Sequence, residues 1–386
     1  MKRLLLIIAL GLLGLACLYL SRDKTLFLMF SNHVPASKKD WTKSDRITKE
    51  DVLAAQKSAL KYLFNAQDES GSWADHPGFT AISLKAILQS SQYDDGFDKQ
   101  IIQAVNYLLT LQREDGAFAI PFSTSTALTN YTTSLCLQVL VLCQGHGIAL
   151  TPNKLQGSAA FIKKAQDYLI GIQKDEGEGF TADHPNYGGV SYGAGGGADL
   201  SNMHLSLQAL KDSGLDANDP YFKKALSFVT RCQDSETNDQ KWSGGSGGFA
   251  YSSEGDASDE KEVYGAMGFA GLKSLLLCQV GTEDQRLQDV LLWLKDNYSV
   301  YDHPGKGQIS IYYYFATMAK AFSLAEENGV NLDVSLSRWR DELMEVLVKR
   351  QRVDGSWVND EKKYMEGQPI LATAYGLYAL NICSKE

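Results

Sequence analysis

The sequence predicts an all-α protein built as a closed double ring of six outer and six inner helices. Two kinds of helical segment alternate along the chain, one with a charged face and one almost without charges. A motif of glutamine, an acidic turn, glycine and an aromatic residue stands between them, as in QRVDGSW at 351–357. The alternation predicts two layers of helices, and the returning motif predicts that each helix pair is one structural unit.

The bulk composition is typical of a globular protein with a large core. Of 386 residues, 44% are hydrophobic and 22% are charged, and the formal net charge is -9. Because binding to nucleic acid phosphates requires clustered lysine and arginine, this acidic balance excludes nucleic acid as a partner. The cysteines lack the pair spacing of a metal site, so we expect neither a bound metal nor a cofactor.

The first segment of the chain differs from the rest. Two basic residues precede an uncharged apolar run over 4–20, which is typical of a signal peptide or of a short membrane anchor, with lipidation of Cys17 as the alternative. We therefore expect a signal peptide or transmembrane helix over 1–22, a linker over 23–47 and the double ring over 48–384. The main body is expected outside the cytoplasm, either held at the membrane by this segment or released by its cleavage.

Six segments carry apolar residues on one helical face and charges on the opposite face. They are residues 51–67, 98–112, 159–173, 220–233, 285–298 and 337–351. Two of their starts carry capping signals. Thr282 with Gln285 fits a capping box, and Asp219 before Pro220 fits an N-cap followed by proline. A helix of this kind has one solvent-exposed side, so these segments are predicted to form the outer ring.

Six further segments, one after each of these, contain one charge or none. They read FTAISLKAIL, YTTSLCLQVLVLC, LSNMHLSLQAL, YGAMGFAGLKSLLLC, IYYYFATMAKAF and ILATAYGLYALNI. A helix without a charged face has to be buried all round, so these segments are predicted to form the inner ring. Lys85, Lys273 and Lys320 lie in the later half of their helices, where the negative end of the dipole favours them. An open solenoid of helix pairs has similar periods, but it leaves one face of every pair in solvent.

The repeated motif predicts how each unit is held together. Its glutamine ends the outer helix, where carbonyls lack partners, and its amide both donates and accepts hydrogen bonds. Its glycine permits the left-handed turn that stops a helix, and its aromatic side chain packs back on the helix end. We expect the motif to join each outer helix to the start of the next inner helix. The third copy is assigned to 173–180 and the fourth to 232–242, and the fifth copy is absent.

Repeats of Gln-x-x-x-Gly-x-Trp/Phe between paired helices resemble the prenyltransferase and squalene oxidase repeat, known as the QW motif of squalene–hopene and oxidosqualene cyclases. The copies that fit are Gln67/Gly71/Trp73, Gln112/Gly116/Phe118 and Gln351/Gly355/Trp357. The resemblance covers residues 50–383. It implies a squalene cyclase-like (α/α)6 toroid, shared by terpenoid cyclases and protein prenyltransferases, with the chemistry in the central cavity.

The residues that protonate the polyene in those cyclases are matched only in part. Squalene–hopene cyclases use an Asp-x-Asp-Asp-Thr run at the start of an inner helix, and its counterpart here begins at 198. Asp199 matches the first aspartate, whereas Ser201 and Asn202 stand in the places of the next two. A serine hydroxyl does not protonate an alkene, so the usual acid is lacking.

The zinc site of protein prenyltransferases is matched less well. The positions of its aspartate, cysteine and histidine ligands correspond to Glu262, Tyr264 and Ala372. A catalytic zinc site needs three protein ligands, so the comparison with that family implies no zinc here.

Two glycine-rich loops precede the third and fourth inner helices, at 186–202 and 242–265. Glycine lets the backbone approach a ligand closely, and both loops are predicted at the same mouth of the ring. The candidate acid–base residues are Asp199, His204 and Glu262. The candidate substrate-binding residues are Tyr192, Asn202, Tyr251, Tyr264, Tyr313 and Glu366.

Each of these residues also has a structural interpretation. Asp199 is well placed as an N-cap, and His204 suits a hydrogen bond inside a buried helix. Glu262 stands in a charged stretch that water can solvate. Three consecutive tyrosines at 312–314 point in different directions, so at most two of them can face the cavity.

Three classes of function stay open on the sequence alone. The first is an enzyme acting on an isoprenoid or other lipid, since a tyrosine-rich cavity suits a prenyl chain or a cation held over ring faces. The second is a non-catalytic binding or scaffold module of the cell envelope. The third is a glycan-active toroid enzyme, for which Tyr, His and Asn are suitable residues. The sequence does not specify the oligomeric state.

Overall fold

The computed structural model describes residues 46–119, 128–148, 158–193, 195–254 and 263–385. These residues form twelve α-helices and no β-strand. The outer set is α1 (Lys49–Asn65), α3 (Asp98–Thr110), α5 (Ser158–Gly171), α7 (Pro220–Arg231), α9 (Gln285–Asn297) and α11 (Trp339–Arg350). The inner set is α2 (Pro77–Leu88), α4 (Thr129–Gly145), α6 (Leu200–Asp212), α8 (Gly265–Leu277), α10 (Ile311–Glu327) and α12 (Pro369–Cys383). Short 3-10 turns lie at Asp95–Phe97, Glu176–Glu178 and Lys363–Met365.

The inner helices form a closed ring. Each one packs against the inner helix before it and the inner helix after it, and α12 returns to pack against α2. The outer helices lie against this ring, and α1 packs on α12 as well as on α11. The predicted toroid is therefore confirmed, and the open solenoid is excluded because its first and last pairs do not meet.

The inner helices are buried along most of their length, as their lack of charge predicts, and the carboxyl ends of α4, α6 and α10 reach solvent. Every residue of α2 and of α8 is buried, including Lys85 and Lys273. The outer helix α7 instead buries one face, with Phe222, Ala225 and Phe228 turned toward the core. Burial of the apolar faces of both layers supplies most of the favourable free energy of the ring.

The predicted joint to the next inner helix is made by the backbone N–H of the motif aromatic, which donates to a threonine there in three copies. The side-chain amide of each motif glutamine makes a further joint, between two outer helices. Gln67 Nε2 donates to the Gly71 carbonyl of its own turn and to the Gln100 carbonyl in α3, both at 2.9 Å. The same pair of bonds, to the turn and to the next outer helix, is made by Gln112, Gln173 and Gln233. The bond to the next outer helix was not predicted, because only the carbonyls at the end of the glutamine's own helix were considered.

The last motif closes the outer ring. Gln351 Nε2 donates to the Gly355 carbonyl at 3.0 Å and to the Ala55 carbonyl in α1 at 2.8 Å. Glycine is required in this turn because φ of Gly355 is 89° and a Cβ atom there would lie 2.3 Å from the carbonyl oxygen of Ser58. The turn can therefore approach α1 closely enough for the glutamine to reach it.

The motif aromatic holds the turn against both helices of its own unit, as predicted. Trp73 Nε1 donates to the Leu63 carbonyl at 2.7 Å, and its backbone N–H donates to Thr80 Oγ1 in α2 at 3.0 Å. Trp357 makes the same indole bond to the Leu347 carbonyl at 2.8 Å. Both tryptophans are fully buried.

The third and fourth motifs end later in the chain than the sequence pattern indicates. Gln173 bonds to the carbonyl of Gly188, and Gln233 bonds to the carbonyl of Gly247. Both glycines lie beyond the predicted segments because insertions separate them from the glutamine. The aromatic position then holds valine in the third copy and Phe249 in the fourth.

One of the two predicted caps is confirmed. Asp219 Oδ1 accepts the Tyr221 N–H at 2.9 Å and caps α7. The capping box assigned to Thr282 is wrong, because the N-cap of α9 is Asp284, which accepts the Arg286 N–H at 3.0 Å.

Residues 1–45, with the apolar run at 4–20, lie outside the described residues. The predicted signal peptide or anchor and the extracytoplasmic location therefore stay predictions. In the ranges that the structure covers, no helix has the length and apolar character needed to cross a membrane. The five described cysteines carry free thiols and, apart from half-buried Cys278, are buried: Cys136, Cys143, Cys232 and Cys383.

We expect the substitution Gly355→Ala to destabilise the ring by about 3 kcal/mol, since it adds a backbone clash to the strain of a left-handed alanine. Gly329→Ala is the matched control, because φ there is 72° but no atom lies within 4 Å of the position that the added methyl carbon would take. The control is expected to lose about 1 kcal/mol. Guanidinium unfolding followed by circular dichroism gives both values, and equal losses would show that the contact with α1 is unimportant.

Candidate functional site

Tyrosine hydroxyls meet inside the ring, between inner helices that are not neighbours. Tyr131 of α4 and Tyr375 of α12 share a hydrogen bond of 2.9 Å. Tyr313 of α10 reaches two residues of α6, with its hydroxyl 3.0 Å from Ser201 Oγ and 2.8 Å from His204 Nε2. We call Tyr131, Tyr313 and Tyr375 the tyrosine layer. Its hydrogen bonds cross the interior of the ring, so hydroxyl groups occupy the interior at this height along the ring axis.

Two further tyrosines come from the glycine-rich loops before α6 and before α8. The Tyr251 hydroxyl donates to the Tyr192 hydroxyl at 2.8 Å. Their backbones are fixed to the starts of inner helices, since the Tyr192 carbonyl accepts the Asn130 N–H and the Tyr251 carbonyl accepts the Leu200 N–H. Tyr192 is exposed and Tyr251 is half-buried. These two residues, the mouth tyrosines, therefore lie where the amino ends of α4 and α6 meet solvent.

Asp199 lies buried between the mouth tyrosines and α6. It is the N-cap of α6, with one oxygen accepting the Asn202 N–H at 2.8 Å and the other accepting Asn202 Nδ2 at 2.9 Å. Burial raises the pKa of Asp199 to about 6, although the bonds from Asn202 favour its charged form. A carboxyl group of this kind can hold or release a proton near neutral pH.

The amide of Asn202 links Asp199 to a second buried asparagine. Asn130 Nδ2 donates to Asn202 Oδ1 at 3.2 Å and to the Ser191 carbonyl at 3.0 Å. The Asn130 Oδ1 atom accepts the Ser206 hydroxyl at 2.8 Å. Asn202 is therefore oriented by bonds on both sides, and it holds the Asp199 carboxylate in one position.

His204 stands between the tyrosine layer and a buried lysine. Its Nδ1 atom lies 3.3 Å from Lys273 Nζ. The lysine nitrogen carries protons in either charge state, so it donates to Nδ1, and the ring proton then sits on Nε2, which donates to the Tyr313 hydroxyl. Burial lowers the pKa of His204 well below its usual value, and the charges of Lys273 and Lys85 lower it further. His204 is therefore a neutral imidazole that orients Tyr313.

The remaining predicted residues belong neither to the tyrosine layer nor to the mouth tyrosines. Both oxygens of Glu366 bind the first turn of α10, accepting the Tyr313 N–H at 2.7 Å and the Tyr312 N–H at 3.2 Å. Glu366 thus fixes the backbone that carries Tyr313. Tyr264 is the N-cap residue of α8, and its ring packs on His303. Glu262 lies outside the described residues.

Only one of the three consecutive tyrosines belongs to the tyrosine layer. The Tyr314 hydroxyl donates to the Ser299 carbonyl at 2.7 Å, away from α6. Tyr312 is buried and packs edge-on against Phe315. Tyr313 therefore supplies the single hydroxyl from this run that contacts Ser201 and His204.

Several residues of the site were missed at the sequence level. Tyr131 and Tyr375 lie on uncharged inner helices, where a tyrosine is expected to belong to the hydrophobic core. Lys273 was noted only for its place near the end of α8, and its contact with His204 spans 69 positions of sequence. An alignment of the inner helices at their first residues could have grouped two of the tyrosines, since Tyr131 and Tyr313 both lie in the first turn of their helices.

Among the residues that the structure describes, no three His, Cys, Asp or Glu side chains are grouped so that they could hold a metal ion. The polar groups of the site are instead hydroxyls, amides, one carboxyl group and one imidazole. These groups can donate and accept hydrogen bonds and transfer protons.

Comparison with solved structures finds the same fold in several enzymes. The type II terpene cyclase MstE from Scytonema has a TM-score of 0.53 and 12% identity, over 87% of this chain and 98% of that chain. A D-mannose isomerase has a TM-score of 0.57 and 12% identity, over 89% and 98%. The protein geranylgeranyltransferase-I of Candida albicans, solved with GGPP, has a TM-score of 0.53 and 15% identity, over 88% and 92%.

No protein-family profile matches the chain, and no curated protein matches it. At these low identities the structural likeness establishes the (α/α)6 toroid fold alone. The fold is shared by isoprenoid enzymes and by a sugar isomerase, so it does not choose between their substrates. Membership of the QW repeat family stays a prediction from the motif residues.

We expect the raised pKa of Asp199 to make folding stability depend on pH. Because the folded pKa of about 6 exceeds the unfolded value, the folded state binds the proton more tightly, and stability falls as pH rises between the two values. The variant Asp199→Asn keeps a capping side chain and lacks this titration. Relative to the variant, the native chain should lose about 2 to 3 kcal/mol of unfolding free energy between about pH 4 and about pH 7.

Guanidinium unfolding of both proteins at matched pH values measures this difference. Other titrating groups cancel in the comparison because both proteins carry them. A difference that stays constant with pH would mean that Asp199 ionises as in the unfolded chain.

Proposed function

We propose that this protein is an acid–base enzyme that acts on a polyhydroxylated small molecule, a sugar, bound between the mouth tyrosines and the tyrosine layer. The observation that carries the proposal is the hydroxyl network inside the ring. The Tyr131 and Tyr375 hydroxyls bond to each other across the interior, and the Tyr313 hydroxyl bonds across it to Ser201 and His204.

A bound sugar can form hydrogen bonds in place of those between the side chains of the network, whereas a hydrocarbon cannot. Each hydroxyl of a sugar both donates and accepts, so a bound sugar can take over the partners that the tyrosines now supply to one another. A prenyl chain at the same level would leave several buried hydroxyls without partners, at a cost of about 1–3 kcal/mol for each. The tyrosine ring faces also suit the apolar faces of a pyranose.

The proposed acid–base group is Asp199. With its pKa raised to about 6, about a tenth of the carboxyl groups are protonated at pH 7, so the group is mainly a base there and can return the proton within one catalytic cycle. The Tyr251 hydroxyl lies beside it and beside Tyr192, and it is the group through which a proton would pass to a ligand at the mouth. Burial and the Asp199 charge raise the pKa of Tyr251, so it acts as a neutral phenol.

His204, Tyr313 and Ser201 have a binding role in this proposal. His204 is neutral and its Nε2 proton is directed at Tyr313, so the phenol is held in place for a substrate hydroxyl. Glu366 fixes the backbone of Tyr313 from the other side. The likeness to a D-mannose isomerase shows that this fold accommodates a sugar enzyme, and it adds nothing about this chain's own substrate.

An isoprenoid or other lipid is the second candidate ligand. The aromatic rings around the mouth favour it, since ring faces suit apolar chains and stabilise cations. A variant of MstE was solved with geranylgeranyl dihydroxybenzoate, which shows that a toroid of this size can enclose such a chain. In this reading the pKa of about 6 makes Asp199 too weak an acid to protonate an alkene, so the protein would bind the lipid and not cyclise it.

Saturation-transfer NMR with a panel of monosaccharides tests the sugar proposal directly. We expect at least one sugar to bind, and we expect Tyr313→Phe to lower its affinity about tenfold because one hydroxyl partner is lost. Tyr314→Phe is the matched control, since the same atom is removed from the neighbouring residue outside the tyrosine layer. Equal affinities for the two variants would place the sugar elsewhere.

Asp199→Asn then separates an enzyme from a binding module. An enzyme should keep its sugar affinity within about threefold and lose most turnover, whereas a binding module shows no turnover in either form. Native mass spectrometry of the protein from its own host tests the second candidate. A co-purifying lipid, together with no sugar binding, would overturn the sugar proposal in favour of lipid binding.

A further inference from the structure

A second polar layer lies inside the ring, toward the carboxyl ends of the inner helices. Each inner helix contributes one residue to it, and the six are Lys85, Gln138, Gln208, Lys273, Lys320 and Tyr378. We call this set the lysine layer. Lys85 Nζ donates to Gln138 Oε1 at 2.7 Å and lies 4.3 Å from the ring centre of Tyr378. Three lysines thus converge on the axis of the ring, below the tyrosine layer.

The lysine layer borders a cavity of about 270 Å³. Every residue of the layer except Lys273 lines this cavity, and Lys273 lies behind it, toward His204. The volume is large enough for an ion of several heavy atoms together with water. The cavity is distinct from the candidate site, because none of the tyrosine layer lines it.

The charges around the cavity are unbalanced toward the positive. The acids that line it are Asp212 and Glu327, and each already has another partner. Asp212 accepts the Gln208 amide at 2.6 Å, and Glu327 accepts the Ser323 hydroxyl at 2.9 Å and lies 4.0 Å from Lys320. Lys385 lines the cavity as a further cation.

Lys85 and Lys273 have no carboxylate partner in the described part of the chain. An ammonium group has three protons, but Lys85 has one amide oxygen and one ring face, and Lys273 has one imidazole nitrogen. Without a partner of opposite charge the charged forms of these two lysines are costly, and an anion in the cavity would supply that partner.

We propose that this cavity is a binding site for a small oxyanion with at least two negative charges, carried by phosphate or carboxylate groups. Lys85 and Lys320 bind the oxyanion directly from α2 and α10, the two inner helices on either side of α12, and Lys273 stabilises it by its charge from behind. The attraction of the lysines grows with the charge of the ligand and has to exceed the repulsion from the carbonyls at the helix ends, so a single negative charge gains less than a multivalent one. This site is independent of the sugar proposal and would hold if that proposal failed.

The charge state of the three lysines depends on whether an anion is bound, because the lysines are buried close together. Burial lowers the pKa of Lys85 to about 8, and repulsion from Lys320 adds to this shift although Asp212 opposes it. Burial, with Lys85 and Lys320, also lowers the pKa of Lys273 well below its usual value. A bound oxyanion removes this repulsion and favours the charged form of all three lysines.

Isothermal titration calorimetry of the whole protein near neutral pH, at constant ionic strength in sodium chloride, tests the site. The probes are inorganic phosphate and citrate. We expect saturable binding of at least one of them with one site per chain, and we expect Lys85→Gln to weaken it at least tenfold. Lys99→Gln is the matched control, because it removes the same charge from an exposed position on α3 and should leave the affinity unchanged.

Lys320→Gln gives a second variant in case Lys85→Gln does not fold, and it should also weaken binding about tenfold. Stronger binding of phosphate would assign the natural ligand to phosphate esters, and stronger binding of citrate would assign it to carboxylates; both support the site. Absence of saturable binding by the native protein would overturn the proposal. Binding that neither lysine variant weakens would overturn it as well.

Discussion

The hydrogen bonds of the motif glutamines set the geometry on which the rest of the structure depends. A glutamine amide nitrogen carries two protons, and in every motif they go to two carbonyls, one in the motif's own turn and one in the next outer helix. The buried Oε1 atoms of Gln233 and Gln351 have no partner among the described residues. The two donors are therefore what this position requires, and a glutamate of the same shape could not supply them.

The motif is absent between α9 and α11, and other side-chain contacts stand there in place of the glutamine. There the Tyr298 hydroxyl donates to Glu342 in α11 at 2.8 Å, and Lys295 pairs with Asp333 at 2.9 Å. The loop after α9 also turns inward, and its His303 accepts the Ala266 N–H at the start of α8. The half-buried Tyr298–Glu342 bond thus joins two outer helices that elsewhere meet through a glutamine amide, and the Lys295–Asp333 pair ties α9 to the loop before α11 at the surface. Exposed pairs contribute little energy, so packing against the inner ring has to hold this part of the ring together.

The fold was predictable because its information is local and repeated, whereas much of the site was not. Helical periodicity and three regular motifs were sufficient for the double ring, and the short spacing between Asp199 and Asn202 was sufficient for the cap. The turn glycines at 188 and 247 were misplaced because insertions of different length precede them. The contact between His204 and Lys273 has no sequence signal, since it depends on which faces of α6 and α8 turn inward once the ring has closed.

The interior of the ring carries charges of opposite sign at its two ends, and the direction of the inner helices explains the arrangement. Asp199 and Glu366 lie at the amino ends of inner helices, where free N–H groups favour an anion, and both accept such groups. The three lysines lie toward the carboxyl ends, where the dipole favours a cation. Yet burial raises the pKa of both acids and lowers the pKa of Lys85 and Lys273. The dipoles therefore do not offset the loss of hydration, and each end of the ring holds ionisable groups that make the empty fold less stable than an apolar interior would. Groups kept at such a cost inside a closed ring are best explained by ligands that complete their hydrogen bonds and charges.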